Sequence, residues 1–168
     1  MWRKLYPHEF VDSIHEIDFK KLKERGIQGI IADLDNTLVP WNNCELVPEV
    51  VEWVQQAKDE GFCVCVVSNN KSERGEDLSQ QLEVPAFWRA VKPRRKTFRR
   101  ALELMGLKPH QAAVVGDQVF TDVLGGNRLG LYTILVSPLD KREFIGTKCM
   151  RQVEKLVLFK HRRKRRQD

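Results

Sequence analysis

Four short apolar runs recur along the chain, and segments with a helical pattern separate them. The runs are of strand length and are bounded by glycine or polar residues, which is typical of buried strands. Because strands that alternate with helices form parallel sheets covered on both faces, we expect an α/β fold, a Rossmann-like three-layer sandwich with a mainly parallel sheet. The four runs span residues 27–32, 62–67, 112–115 and 131–136.

Apolar residues at helical spacing fill the segments between the runs, and glycines end several of these segments. The 168 residues are predicted to form one domain. It comprises a helical lead-in over 1–26, a core over 27–140, and a C-terminal helix with a basic tail over 141–168. The predicted helices span residues 15–25, 48–60, 73–82, 94–105, 119–129 and 143–159, with a short edge strand at 87–88.

Polar side chains follow the strands, at the ends where parallel sheets bind their ligands. Asp33 and Asp35 follow the first strand and lie on the same side of an extended chain, with Leu34 on the other side. Ser68 follows the second run and Asp117 follows the third. Two carboxylates at the end of a buried strand are costly unless they are paired or bound to metal. We therefore expect Asp33 and Asp35 to meet a metal and a phosphoryl group.

Each of these features also has an ordinary explanation. An Asp-x-Asp pair is often a turn or a cap, and a hydroxyl after a strand is often a helix N-cap. A lysine before a proline is usually solvated, and Lys92 precedes Pro93 where the helix after the edge strand begins. The joint occurrence of these features at strand ends favours a common site.

Four segments, taken together, resemble the four motifs of the haloacid dehalogenase-like (HAD) phosphatases. They are D-L-D-N-T-L from Asp33, S-N-N from Ser68, V-K-P around Lys92 and G-D-Q-V-F-T-D from Gly116. The resemblance covers about residues 27–136. More narrowly, the motifs are similar to those of the YqeG-type group of subfamily IIIA, which is related to the phosphatidylglycerophosphate phosphatases of mitochondria and plastids.

The resemblance implies a HAD fold and Mg²⁺-dependent hydrolysis of a phosphate monoester through an aspartyl-phosphate. Asp33 would be the nucleophile, and Asp35 would protonate the leaving oxygen and then take a proton from the attacking water. Asp33, the backbone carbonyl of Asp35 and Asp117 would bind Mg²⁺. Ser68 and Lys92 would hold the phosphate oxygens.

Three further residues would support this site. Thr37 would hydrogen-bond near the loop and fix Asp35, and Asp122 would orient Lys92 or a metal-bound water. Asn69 of the S-N-N motif would also support the site.

Many relatives of this fold insert a cap domain over the site, but the gaps between the motifs are short here. The gap from Asp35 to Ser68 has room for a loop and one helix, and the gap from Ser68 to Lys92 for a short helix and a short strand. We therefore expect no cap and an open site that admits a lipid head group, a protein or a nucleic acid end. Trp41, beyond the first motif, is either a packing residue or part of the rim.

From the resemblance we expect a phosphatase that converts phosphatidylglycerophosphate to phosphatidylglycerol. One alternative is a phosphatase for a soluble small-molecule or protein phosphoester. Another alternative, from a different class, is a nucleic-acid- or ribosome-associated binding protein on a HAD fold. The intact set of Asp33, Asp35, Lys92 and Asp117 argues against lost chemistry.

The net charge of +6 is unevenly distributed along the chain. Residues 84–102 contain seven Lys/Arg and no acidic residue, and residues 160–168 contain six Lys/Arg and one Asp. The first patch is either a solvated helix face or a surface that attracts an anionic substrate. The second is a disordered tail, an anchor to anionic phospholipid or a nucleic-acid contact. Charge alone permits nucleic acid, and no RNA-binding motif supports it.

The expected compartment follows from what the chain lacks. No apolar run reaches the ~18 residues that a membrane span needs, and no signal-peptide pattern follows Met1. The four cysteines have neither zinc-site nor disulfide spacing, and we expect Cys63 and Cys65 to be buried in their apolar run. These observations favour a cytoplasmic protein, with peripheral attachment to a membrane left open.

Overall fold

Six parallel strands form one sheet at the centre of the protein. The computed structural model describes residues 2–41, 45–70 and 72–140. The strands lie in the order β1-β6-β5-β2-β3-β4, and each neighbouring pair is parallel. They are β1 (Glu9–Val11), β2 (Gly29–Ala32), β3 (Cys63–Val67), β4 (Ala86–Phe87), β5 (Ala112–Gly116) and β6 (Tyr132–Val136).

Helices cover both faces of this sheet. The α-helices are α1 (Phe19–Glu24), α2 (Pro48–Asp59), α3 (Ser72–Leu82), α4 (Arg95–Met105) and α5 (Leu124–Leu129). Because side chains alternate along a strand, Ile30 and Ala32 of β2 pack with apolar residues of α1, α2 and α3, whereas Ile31 packs with Phe98 of α4 on the opposite face. The three-layer α/β sandwich predicted from the alternation of strands and helices is confirmed.

The N-terminal segment differs from the prediction. Instead of one helix over 15–25, a short 3₁₀ turn spans Ile14–Glu16 and α1 begins separately at Phe19. Asp18 interrupts the helix because its backbone is extended and its side chain caps α1, accepting a hydrogen bond of 3.1 Å from the N–H of Lys21. The sequence also gave no sign of β1, which at three residues is too short to show a period of two.

Two predictions about individual segments have different outcomes. Cys65 is buried as expected, but Cys63 is exposed because it is the first residue of β3, before the strand enters the core. The predicted helix over 143–159 and the whole segment 141–168 lie outside the described residues. No helix within the ranges that the structure describes is both long and apolar enough to cross a membrane.

Candidate active site

The candidate site lies where three neighbouring strands end. β5, β2 and β3 are adjacent and parallel, so their carboxyl ends lie side by side. Asp33 follows β2, Ser68 follows β3 and Asp117 follows β5, and all three residues are buried. The structure thus brings together the polar residues that the sequence placed at strand ends.

Lys92 links two of the carboxylates. Its Nζ donates hydrogen bonds to Oδ1 of Asp33 at 2.5 Å and to Oδ1 of Asp122 at 2.7 Å. All three side chains are almost completely buried. Charged hydrogen bonds of this kind are among the stronger ones in proteins, so they fix the ammonium beside the predicted nucleophile. The predicted contact between Asp122 and Lys92 is present.

Burial governs the protonation of this group. It raises the pKa of Asp33 well above its usual range, because Lys92 offsets only part of the desolvation and the carboxylates of Asp122 and Asp117 add to it. Burial alone would lower the pKa of Lys92, but the carboxylates of Asp122 and Asp33 outweigh it and raise that pKa instead. The ammonium therefore stays charged, while the site holds more negative than positive groups.

Three carboxylates in the site are close enough to share a cation. Oxygens of Asp33, Asp117 and Asp122 all lie within 4.8 Å of one another, and the three residues are buried. Such an all-oxygen set suits a hard divalent cation, and a cation would relieve the repulsion between the carboxylates. The carboxylate of Asp35 is not one of the three, and the predicted role of its backbone carbonyl as a metal ligand stays a prediction.

The turn after β5 brings Asp122 into the cluster. The helix predicted over 119–129 begins with a π-helical turn, Val119–Val123, before α5 continues it. Gly116 makes room for this turn, because a Cβ at that position would overlap Cγ and Oδ2 of Asp122. Oδ2 of Asp122 also accepts a hydrogen bond of 3.2 Å from the N–H of Gln118. The wide turn and the glycine together place this carboxylate against the end of β5.

The hydroxyl of Thr37 lies beside two of the buried carboxylates. It lies 3.4 Å from Oδ2 of Asp33 and 3.5 Å from Oδ1 of Asp117, at the outer limit for hydrogen bonds. The prediction that Thr37 fixes Asp35 stays a prediction. The chain turns back after Asp35, and the hydroxyl of Thr37 faces the buried carboxylates of Asp33 and Asp117.

The S-N-N loop after β3 contacts both Asp35 and the backbone of Lys92. Ser68 Oγ lies 3.4 Å from Oδ2 of Asp35, and the side chain of Asn70 donates to the same oxygen at 2.7 Å. Oδ1 of Asn69 accepts a hydrogen bond of 2.7 Å from the N–H of Lys92. Asn69 therefore supports the segment that carries Lys92, whereas Ser68 and Asn70 lie against Asp35.

A cavity of about 340 Å³ opens above these residues. It is bounded by the predicted residues Asp33, Asp35, Ser68, Asn69 and Lys92, and by five others: Asn36, Trp41, Asn70, Gln118 and Thr121. Of the five, only Trp41 was given a prediction of its own from the sequence, as a packing or rim residue, although the other four lie within the quoted motifs. The structure identifies it as a rim residue, since its side chain is 41% exposed.

Asn36 joins two segments at the mouth of the cavity. Its backbone has a positive φ of 63°, a conformation that asparagine tolerates better than most residues. Its Oδ1 accepts hydrogen bonds of 3.1 Å from the N–H groups of Trp41 and Asp140, and its carbonyl accepts one from Leu139. The only signal for this role in the sequence was an asparagine in a tight turn.

Comparison with known proteins assigns the chain to a family. The family described as haloacid dehalogenase-like hydrolase matches residues 8–130. The chain is 45% identical over 165 residues to "Probable phosphatase YqeG" of Bacillus subtilis, across 98% of this chain and 96% of that protein. The chain belongs to the haloacid dehalogenase-like hydrolases. Within that family it is a phosphoric monoester hydrolase of the HAD type, as the sequence motifs predicted.

Two further similarities are more distant. The chain is 29% identical over 163 residues to chloroplastic/mitochondrial phosphatidylglycerophosphate phosphatase 1 of Arabidopsis thaliana. The match covers 90% of this chain but only 46% of that protein, so the chain spans about half of that relative's length. The cobalt-bound deoxy-D-mannose-octulosonate 8-phosphate phosphatase of Haemophilus influenzae shares the fold, with a TM-score of 0.55 and 17% identity over 68% of this chain and 70% of that one.

Proposed function

We propose that the protein is a Mg²⁺-dependent phosphatase that hydrolyses phosphate monoesters through an aspartyl-phosphate on Asp33. The observation that carries this proposal is the buried carboxylate of Asp33, which lies between the ammonium of Lys92 and two further carboxylates at the ends of the central strands. A nucleophile, a phosphate-binding cation and a set of metal ligands are thus combined at one point.

The donor set fits Mg²⁺. Mg²⁺ prefers oxygen ligands and binds proteins through few carboxylates, and the cluster supplies carboxylate oxygens from Asp33, Asp117 and Asp122. Asp33 and Asp117, with the backbone carbonyl of Asp35, would hold the ion, and Asp122 would hold Lys92 beside it. When bound, the ion would neutralise charge and orient the phosphoryl group.

The side chains would divide the reaction into two steps. In the first, a carboxylate oxygen of Asp33 bonds to phosphorus while the bond from phosphorus to the leaving oxygen breaks, and Asp35 gives that oxygen a proton. In the second, water attacks the phosphorus of the aspartyl-phosphate, Asp35 takes the proton of the water, and Asp33 is released. Ser68 and Lys92 would hold the phosphate oxygens throughout.

For the substrate we favour phosphatidylglycerophosphate, which would be converted to phosphatidylglycerol. The name of the Arabidopsis relative suggests this lipid, and the surface around the cavity mouth supports it. Trp41, Leu139 and Val91 are 41%, 50% and 53% exposed. Trp41 and Leu139 are hydrogen-bonded to Asn36, which borders the cavity, and Val91 directly precedes Lys92, which also borders it. Exposed apolar residues, tryptophan above all, are typical of surfaces that touch a membrane interface.

Basic residues flank Lys92, which borders the cavity, along the chain. The N–H of Arg89 donates to the carbonyl of Asn70 at 2.9 Å, so this segment lies directly against the cavity. Arg89, Arg94 and Arg95 are exposed. Each basic residue near an anionic phospholipid surface contributes about 1 kcal/mol of attraction. A cytoplasmic enzyme that attaches peripherally to an anionic membrane would account for both the apolar and the basic residues.

The rim can be tested separately from the chemistry. Leu139→Ser should weaken sedimentation of the protein with vesicles of phosphatidylglycerol and phosphatidylcholine, and should leave hydrolysis of a soluble phosphomonoester unchanged. Leu104→Ser is the matched control, because Leu104 is 56% exposed and precedes Met105, which lies against Gly29 at the end of β2 opposite to the site. Equal vesicle binding by both variants and the wild type would exclude the rim as a membrane contact.

A soluble phosphoester is the second candidate substrate. A cavity of about 340 Å³ has the size of many small-ligand sites. Rates of Mg²⁺-dependent phosphate release should therefore be measured side by side on the lipid and on a panel of soluble phosphomonoesters. The favoured substrate requires the highest kcat/KM on the lipid, and an absence of lipid hydrolysis would exclude it. Salt-sensitive RNA binding without any phosphatase activity would instead favour the nucleic-acid alternative.

A further inference from the structure

Asn70 donates a short hydrogen bond to Asp35. Its Nδ2 donates to Oδ2 of Asp35 at 2.7 Å, whereas Ser68 Oγ lies 3.4 Å from the same oxygen. Asn70 also borders the cavity. It is the last residue of the S-N-N loop and none of the predicted phosphate or metal roles involves it.

The backbone N–H and the backbone carbonyl of Asn70 are both hydrogen-bonded. Its N–H donates to Oγ of Ser68 at 3.1 Å, and its carbonyl accepts a hydrogen bond of 2.9 Å from the N–H of Arg89. The neighbouring Asn69 joins the same loop to the backbone of Lys92. The amide of Asn70 is therefore presented from a loop that is attached to the segment 89–92, and its position does not depend on a long flexible side chain.

Asp35 needs such a contact more than the other carboxylates do. Asp33, Asp117 and Asp122 are buried, but Asp35 is only half-buried at the cavity. A general acid must lie within hydrogen-bond reach of the leaving oxygen, and small displacements of a catalytic group lower the rate strongly. A neutral amide can fix the orientation of the carboxyl group without adding a charge to the site.

We propose that Asn70 is a positioning residue for Asp35, the general acid and base of the reaction. This inference rests on the proposed function. With Oδ2 oriented by the amide, the carboxyl group of Asp35 is directed at the leaving oxygen when the bond between that oxygen and phosphorus breaks. In the second step the same orientation directs it at the water whose proton it accepts.

The test uses the dependence of the rate on the leaving group. An alkyl phosphate expels a strongly basic oxygen that needs a proton, whereas 4-nitrophenyl phosphate expels a stable phenolate that does not. The ratio kcat/KM reports only the first step, in which the leaving oxygen is expelled, whereas kcat also includes the second step that both esters share. Asn70→Ala should lower kcat/KM for the alkyl ester by about ten- to a hundredfold, the effect expected for one hydrogen bond to a charged group. It should change kcat/KM for the nitrophenyl ester far less. Asn70→Gln, which retains the amide, should recover part of the loss.

Asn69→Ala is the matched control. It removes an amide from the same loop, but one that contacts the backbone of Lys92 and not Asp35. It should slow both esters to the same extent. If Asn70→Ala does not fold, Asn70→Ser replaces it in the same measurements.

Asp35→Asn, measured alongside, separates the two claims. If Asp35→Asn lowers kcat/KM selectively for the alkyl ester and the Asn70 variants lower kcat/KM equally for both esters or not at all, the positioning role of Asn70 is excluded. If Asp35→Asn itself shows no dependence on the leaving group, the role of Asp35 in the proposed function fails first, and the role of Asn70 fails with it.

Discussion

Lys92 Nζ lies 2.7 Å from Oδ1 of Asp122, and both side chains are buried. The same ammonium contacts Asp33, so Asp122 holds the cation that flanks the predicted nucleophile. Asp122→Asn should lower kcat/KM by about ten- to a hundredfold, because it weakens a charged hydrogen bond to Lys92. Mg²⁺-dependent phosphate release measures this effect. The exposed Asp77→Asn in α3 is the control, and wild-type rates in Asp122→Asn would show that this contact is not needed.

Removal of the ammonium should destabilise the protein. Lys92→Met retains most of the side-chain length but leaves Asp33 and Asp122 buried without their cation. The free energy of unfolding, measured with urea in the presence of EDTA, should fall by about 3–5 kcal/mol, as when one partner of a buried pair is removed. Lys96→Met, at an exposed position on α4, should change it little. Similar stability of the two variants would show that the buried carboxylates do not need the ammonium.

The raised pKa of Asp33 predicts a specific pH dependence in the absence of metal. The folded protein binds this proton more tightly than the unfolded chain does, so protonation of Asp33 stabilises the fold. This contribution to the free energy of unfolding is fully present below the usual pKa of aspartate. It is lost as the pH rises through the higher pKa of the folded state. Asp33→Asn mimics the protonated form. In EDTA it should be more stable than the wild type at pH 7, and the difference should disappear in acid.

Urea unfolding of both proteins across this pH range measures the effect. A variant that is less stable than the wild type at pH 7 would show that the attraction of Lys92 outweighs the burial of the carboxylate. Mg²⁺ should reverse the order at pH 7, because the wild type has a carboxylate to bind the ion and Asp33→Asn does not.

Gly116 offers a steric test of the position of Asp122. Gly116→Ala introduces a Cβ that overlaps the carboxyl group of Asp122, so it should displace this group and lower activity at least about tenfold, with a loss of stability of about 1–3 kcal/mol. Gly125→Ala is the matched control for Gly116→Ala, because its Cβ would overlap the ring of Phe98 between α4 and α5. It should lose similar stability but retain activity per folded molecule. Equal activity of the two variants would contradict the account.

The sequence predicted the parts of the site that depend on local pattern. Asp33 and Asp35 could be placed because they directly follow a buried run, and Ser68 and Asp117 because parallel strands end on the same side of a sheet. The central strands were long enough to be recognised as strands, and their parallel pairing followed from the helices between them. The motif resemblance then supplied roles for Lys92, whose own environment in the sequence indicated only a solvated residue.

The sequence could not predict contacts between distant loops. The approach of residues 139 and 140 to Asn36 spans about a hundred positions and depends on a positive φ at that asparagine. The bond between Asn70 and Asp35 depends on how two loops fold over the same strand ends. The contacts of the Thr37 hydroxyl with Asp33 and Asp117 could not be predicted for the same reason, because the direction of the turn after Asp35 is not encoded in a residue spacing.

The central claim is that Asp33 becomes phosphorylated during hydrolysis. The most direct measurement is mass spectrometry of the protein quenched with acid during turnover with Mg²⁺, with the phosphoryl group assigned to a residue in the peptide that contains Asp33. The account predicts a phosphoryl group on Asp33 of the wild type. It also predicts no phosphoryl group and no phosphate release with Asp33→Asn, whose circular dichroism should match the wild type. A phosphoryl group on another residue, or phosphate release by Asp33→Asn close to the wild-type rate, would contradict it.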